Sequence, residues 1–256
     1  MNPPEANIVE SVVDELIASR WSDPTLDLDV FGNRVSSGQY RAVYEAAVGC
    51  LPERASVLDW GCGNGHLSYF LVRMGYRTTG FSFLESPRLM RQFGERFCFV
   101  QGSDKEPMAL PFDPESFDAV VSMGVLEHVR ETGGEEHASL CEIRRILKPG
   151  GVFLCAHFPN RYSWIEFLTR NFLPSKFHHR YRFTPGDIRG LWGGAGFDLR
   201  LVRRYAWLPR NLTSRVRPAF MNSGFALGAY GVMEGIAKAI MYPFHQNFLI
   251  VAVKRS

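Results

Sequence analysis

No two cysteines in this sequence stand at the spacing of a metal clip or a redox pair. The five (Cys50, Cys62, Cys98, Cys141 and Cys155) are odd in number, far apart and never C-x-x-C. A disulfide framework and a cysteine zinc site are thereby excluded, and a reducing, cytoplasmic setting is predicted. There is also no apolar run of the roughly 18 residues that a membrane-spanning helix needs. The opening stretch MNPPEANIVESVVDEL lacks the basic segment and apolar core of a secretory signal. Internal repeats and low-complexity tracts are absent. Acid is scarce in one region: residues 161–217 hold 12 Lys and Arg against 3 Asp and Glu, while the rest holds 17 against 23. The net charge of +3 therefore conceals an acidic body and a basic C-terminal segment suited to an anionic partner.

What is present is an alternation of short apolar runs with amphipathic stretches, the pattern of a parallel sheet covered by helices. The 256 residues predict a single α/β domain. Residues 1–52 form N-terminal helices, 53–158 a cofactor-binding core, and 159–256 a substrate-side segment. Strands are expected at Ala55–Trp60, Tyr76–Phe81, RFCFVQG, Phe117–Gly124 and Val152–Phe158. Helices are expected near Gly65–Met74, Ser86–Phe93 and Glu135–Leu147, the last ended by KPGG, and at TPGDIRGLWGG. DLRLVRRYAW and NFLIVAVKR read as an antiparallel pair at the sheet edge. The insertion between them, about 207–246, is too long for a bare loop and needs helices of its own.

The stretch VLDWGCGNGH places Gly61, Gly63 and Gly65 after a strand and before a helix. Such a turn brings backbone close to a ligand and aims N–H groups at it. A dinucleotide fingerprint, G-x-G-x-x-G, would put its last glycine one residue later. Asp59, in the turn itself, is awkward beside a pyrophosphate and well placed for a cation. An ammonium and a sulfonium, as in S-adenosylmethionine, suit that acid followed by bare glycines.

These and later segments, in order, resemble the class I S-adenosylmethionine-dependent methyltransferases, and among them the methyltransferase type 11 small-molecule group. VLDWGCGNGH resembles the first motif and YRTTGFS the second strand. Phe99–Val129, with its LPF, SFD and VLEHV segments, resembles the third and fourth motifs, and EIRRILKPGGVFL the following helix, turn and strand. The resemblance spans about Ser56 to Leu154, with a weaker echo from RYRFTPGDIRGLWGGAGF onward. It implies a Rossmann-like class I methyltransferase fold. Its seven-stranded, mostly parallel sheet would carry helices on both faces, an N-terminal helical cap and a helical insertion before the last strand.

The resemblance also implies roles. Asp59 would order the loop and accept from the donor's ammonium, directly or through water. Gly61, Cys62, Gly63 and Gly65 would admit its methionine portion. Ser103 and Asp104 would face the adenine, and Met123 and Gly124 the transferred methyl. The ribose is where this chain departs: Ser82, followed by Phe83, stands where the family carries an acid, with Glu85 a turn further on. A quinone-pathway O-methyltransferase branch binds a divalent metal in this region. Glu127 and His128 match its ligands, but Gly124 replaces its first glutamate, so no metal is expected.

A hydroxyl acceptor needs a base, for which His128 and His157 are the candidates. His128 equally suits a structural helix-start role. His178 and His179, with Tyr162, Tyr181 and Arg182, lie in a basic aromatic segment placed to close over the acceptor. His66, His137 and His245 read as packing or surface residues. Aromatic side chains with arginines suit an apolar or aromatic, anionic or lipid-linked biosynthetic intermediate. O-methylation is the leading reading, with N- or C-methylation of a similar molecule beside it. RNA methylation is disfavoured, since no RNA-binding module and no N-P-P-Y-type motif after the fourth strand is present. A non-catalytic cofactor-binding scaffold is the remaining alternative. The apolar insertion FALGAYGVMEGIAKAIMYPF serves as core cover, lipid-binding wall, peripheral membrane helix or homodimer contact.

Overall fold

The computed structural model describes residues 3–103, 105–173, 179–209 and 213–255. Asp104, His178 and Phe177 lie outside the described residues. Seven strands, β1 (Ser56–Trp60), β2 (Arg77–Ser82), β3 (Phe97–Gln101), β4 (Phe117–Met123), β5 (Leu147–Pro159), β6 (Phe197–Tyr205) and β7 (Asn247–Lys254), form one sheet. Their order is β3-β2-β1-β4-β5-β7-β6. Only β7 runs against its neighbours, pairing antiparallel with both β5 and β6. The expected antiparallel pair thus exists, with β6 at the edge and β7 set inside.

Among the described residues eight α-helices surround the sheet: α1 (Pro3–Ser22), α2 (Gly38–Cys50), α3 (His66–Arg73), α4 (Glu136–Ile146), α5 (Trp164–Phe172), α6 (Pro185–Gly194), α7 (Pro218–Met221) and α8 (Gly224–Ile240). One core joins α1, α2 and α3 to one sheet face through Val12, Leu16, Val43, Tyr44, Phe70 and Val121. The other packs α4 and α6 on the opposite face through Ile143, Trp192, Phe153 and Ile250. Strands buried on both faces explain the continuous apolar runs of β4 and β5.

Two expectations change in detail. Residues Arg88–Arg96 wind as a 3-10 helix rather than an α-helix, and Gly94 breaks it at φ 52°, ψ −126°. The short segment still buries Leu89, Met90 and Phe93. β5 starts five residues early, because Leu147 pairs with Phe117 before KPGG turns out of register and Val152 resumes against Ala119. The 207–246 insertion does carry helices, α7 and α8, and among the described residues no helix is long and apolar enough to cross a membrane.

Trp192 is fully buried, parallel to Phe153 at 6.3 Å and edge-on to Phe158 at 5.4 Å. Trp192→Ala is expected to cost about 3–5 kcal/mol in urea unfolding. A loss below about 1 kcal/mol would show that this core closes over the gap.

Candidate active site

Strand order reverses between β1 and β4, and there the carboxyl ends of parallel strands leave a crevice. A cavity of about 680 Å³ opens at that point, with Gly61, Cys62, Gly63, Asn64, Met123 and Gly124 on its floor. The loop is pinned at its start, where the N–H groups of Gly61 and Cys62 both donate to the Phe81 carbonyl, at 2.8 and 3.0 Å.

The three glycines do different work. Gly61, at φ 81°, has no room for a side chain because an added Cβ would collide with Val125. Gly63, at φ 49°, meets nothing nearer than the Gly61 carbonyl at 3.9 Å, so its bare backbone faces the cavity. Gly65, at φ 86°, lies under Pro87 and Met90, each 2.9 Å from an added Cβ, and is a packing glycine.

Asp59 is 1% exposed. The Ser68 hydroxyl on α3 donates to its Oδ2 at 2.6 Å, and the Ser68 backbone N–H bonds it as well. Burial pushes its carboxyl up to about 7, against the pull of those bonds. The acid stands behind the loop rather than among the side chains that line the cavity. Burial likewise raises the Cys62 thiol, so it is a neutral wall residue.

Of the remaining cofactor candidates that the structure describes, Ser82, Phe83 and Ser103 lie outside the cavity wall. The Ser82 hydroxyl accepts from the Leu84 N–H at 3.1 Å, a local turn bond. Phe83 packs edge-on to Phe81. Ser103 is exposed and accepts from the Lys105 N–H.

The opposite wall is built from distant segments. His157 is buried at the register shift between β5 and β7, with φ 61°. That bulge turns its ring into the cavity. Its N–H donates to the Tyr205 hydroxyl at 2.9 Å, Asn247 Nδ2 lies 3.2 Å from its Nδ1, and Tyr40 packs against the ring. His179 comes from beyond α5. Its Nδ1 lies 2.6 Å from Glu166 Oε1 and its N–H donates to Glu166 Oε2 at 3.1 Å. Glu166 is itself held in the first turn of α5, where Ser163 caps the helix by accepting from the Glu166 N–H.

His128 is exposed, 3.0 Å from Glu131, with its ring 5.8 Å from that of His179. Gly124 leaves only Glu127 and His128 as local metal ligands, but the fold brings up a third. Glu127, His128 and His179 offer donor atoms all within 4.8 Å of one another.

Several acceptor candidates face elsewhere. Tyr162 and Arg182 line a separate groove, and Tyr181 sits under the Arg130 guanidinium at 4.9 Å. Trp164, Phe167 and Phe244 also belong to that groove. Sequence reasoning missed Gln39, Asn64, Glu127 as a wall residue, Glu166, Gln246 and Asn247, and it placed His66 in packing although it lines the cavity. His66 does both, bonding Tyr44 Oη through Nδ1 at 2.9 Å.

A glycine loop at the switch point, an acid buried behind it and a parallel sheet with one reversed strand define a class I methyltransferase. The profile described as a methyltransferase domain matches residues 58–155. The ubiquinone biosynthesis O-methyltransferase of Pseudomonas putida is 30% identical over 205 residues, covering 73% of this chain and 81% of that enzyme. The Klebsiella pneumoniae enzyme of the same name is 29% identical over 168 residues, covering 63% of this chain and 66% of its own length. Among solved structures, the Burkholderia thailandensis 1,6-didemethyltoxoflavin-N1-methyltransferase, with its substrate and S-adenosylhomocysteine bound, aligns at TM-score 0.52. It is 21% identical and covers all of this chain and 92% of its own, so the fold is what the two share. The chain belongs to the S-adenosylmethionine-dependent methyltransferases, and S-adenosyl-L-methionine is its cofactor. The bare glycines 61, 63 and 124 on the cavity floor fit that molecule.

Because the folded state raises the Asp59 carboxyl, it keeps a proton that the unfolded chain releases. Its contribution to stability is therefore full below about pH 4 and lost as pH rises toward about 7. Asp59→Asn is expected to gain about 2–3 kcal/mol over the wild type between about pH 5 and 8 in urea unfolding. Parallel pH profiles would contradict this. Separately, Gly65→Ala should lower stability by about 2 kcal/mol through strain and the Pro87 contact. Gly63→Ala should cost about half that while weakening S-adenosylmethionine binding at least tenfold in calorimetry.

Proposed function

We propose that this methyltransferase transfers the methyl group to a hydroxyl oxygen of an apolar or aromatic small molecule. The observation that carries this reading is the Glu166–His179 pair on the cavity wall that faces Met123 and Gly124. Displacement at a sulfonium methyl needs orientation and exclusion of water, and a hydroxyl acceptor must also lose its proton. In the tautomer with Nδ1–H donating to Glu166, the His179 Nε2 carries the lone pair that takes that proton. His157, oriented by Asn247 and packed on Tyr40, holds the acceptor from the other side. His128 stands at the mouth. Names of the curated relatives, which act on oxygen, support the same choice.

In this reading Gly61, Cys62 and Gly63 receive the methionine half of the donor. Asp59 orders the loop that meets the ammonium, and Met123 and Gly124 flank the methyl. The adenosine lies toward Ser82, Phe83 and Ser103, with a hydroxyl in place of an acid at the ribose. Five free cysteines, two of them buried, support a reducing compartment.

The test is transfer of labelled methyl from S-adenosylmethionine to panels of phenols, catechols and hydroxyacids beside matched amines. Labelling confined to amines would overturn the oxygen assignment. With a working phenol, Glu166→Gln and His179→Gln are each expected to lower kcat about 10²–10³-fold while leaving calorimetric donor affinity unchanged.

A further inference from the structure

Helix α8 turns its apolar side outward. Phe225, Val232, Ile236 and Ile240 recur at helical spacing on one stripe and are all exposed, Phe225 at 86% and Ile240 at 71%. The opposite side carries Tyr230, which burial pushes up to about 12, and Ala237, the only buried residue of the helix. At its four glycines, Gly224, Gly228, Gly231 and Gly235, an added Cβ would meet no described atom within 4 Å beyond the helix's own backbone and chain neighbours. Glycine weakens a helix in water, so this element gains most from being covered.

The stripe runs into a second cavity. After α8 the chain reaches Met241 and Phe244, which line a groove of about 640 Å³ with Arg161, Arg170 and Arg182. None of the ion pairs among the described residues engages these three arginines. The groove lies across α5 from the cofactor cavity. Ile165, Glu166 and Thr169 face the cavity, whereas Trp164, Phe167 and Arg170 face the groove. Phe167 in the groove is strongly exposed, as is Phe172 at the end of the same helix.

We infer that the outer face of α8 and the arginine groove beside α5 dock the protein on the surface of an anionic phospholipid bilayer. Apolar side chains bordered by three arginines, of which Arg161 alone has an acid near it in Asp187, match a headgroup layer over acyl chains. The surplus of 9 positive charges over residues 161–217 supplies the long-range attraction. A second copy of the chain fits less well. A two-fold contact through this face would set the same arginines against each other, and Asp187, near Arg161, offsets one of the three. Docked in this way, the protein holds the cavity on the far side of α5 one helix away from the lipid.

Flotation of the whole protein tests this, using vesicles of phosphatidylcholine alone and vesicles with about a third phosphatidylglycerol. The protein is expected to float with the anionic vesicles, less so at high salt, and not with the neutral ones. Arg161→Gln and Arg170→Gln should each lower partition about fivefold. Phe225→Ser combined with Ile236→Ser should abolish flotation while thermal unfolding and S-adenosylmethionine binding stay unchanged. Absence of flotation, or equal flotation of the variants, would overturn the docking. So would a dimer in light scattering that the Phe225→Ser, Ile236→Ser protein loses. Docking needs no methyl donor, so failure to bind S-adenosylmethionine would defeat the enzymatic reading and leave this one standing.

Discussion

The carboxyl of Asp59 is sealed in the sheet, its residue paired in register with Gly80 on β2 and Val121 on β4. Burying an acid there is costly, and the Ser68 hydroxyl and N–H offset part of that cost. The bond joins the end of β1 to the second residue pair of α3, so the glycine turn between them is held at both ends. Phe81 holds the same turn from β2 through the Gly61 and Cys62 amides. A rigid floor follows from these few contacts, and the cavity is shaped on top of it. Gly80 belongs to the same design, since an added Cβ there would press on Phe97 and Cys62.

The parts that could be read from sequence are those written locally. Strand edges, apart from the early start of β5, came within a residue or two because apolar runs end at glycine, proline or charge. The glycine turn, Met123 and Gly124 came from contiguous motifs. The facing wall was not legible in this way. Gln39, Tyr40, Gln246 and Asn247 reach the cavity only because α2 and β7 converge on it from the two ends of the chain. Single-sequence patterns carry no signal for a contact such as His157 with Asn247, 90 residues apart. His179 was read as one set with Tyr162 and Arg182, yet α5 separates them, and alternate sides of that short helix enter different cavities. Ser82 shows a third limit. Its hydroxyl accepts from the Leu84 amide, a side-chain–backbone bond that composition does not reveal and that leaves its own O–H to donate.

The histidines illustrate how a fold sorts one residue type. His66 packs among Phe31, Tyr40 and Tyr44 and shows an edge to the cavity. His157 is locked by a left-handed backbone and the Tyr205 hydroxyl. His179 is oriented by a carboxylate that is itself placed by a helix cap. His245 is buried, and that burial holds its imidazole below the ordinary range, which keeps it neutral and structural. Orientation, more than identity, separates these roles.

Strand β7 bears on how the protein is made. β6 has β7 as its sheet neighbour, and β7 is synthesised last, after the whole insertion. During translation β6 must therefore wait unpaired while about forty residues pass, with β5 offering an open edge beside it. Pairs such as Val152 with Val253 close loops of about a hundred residues, which slows that final step. The sheet is finished by threading β7 into an interior slot, so the nascent chain is most prone to stray strand pairing just before β7 emerges.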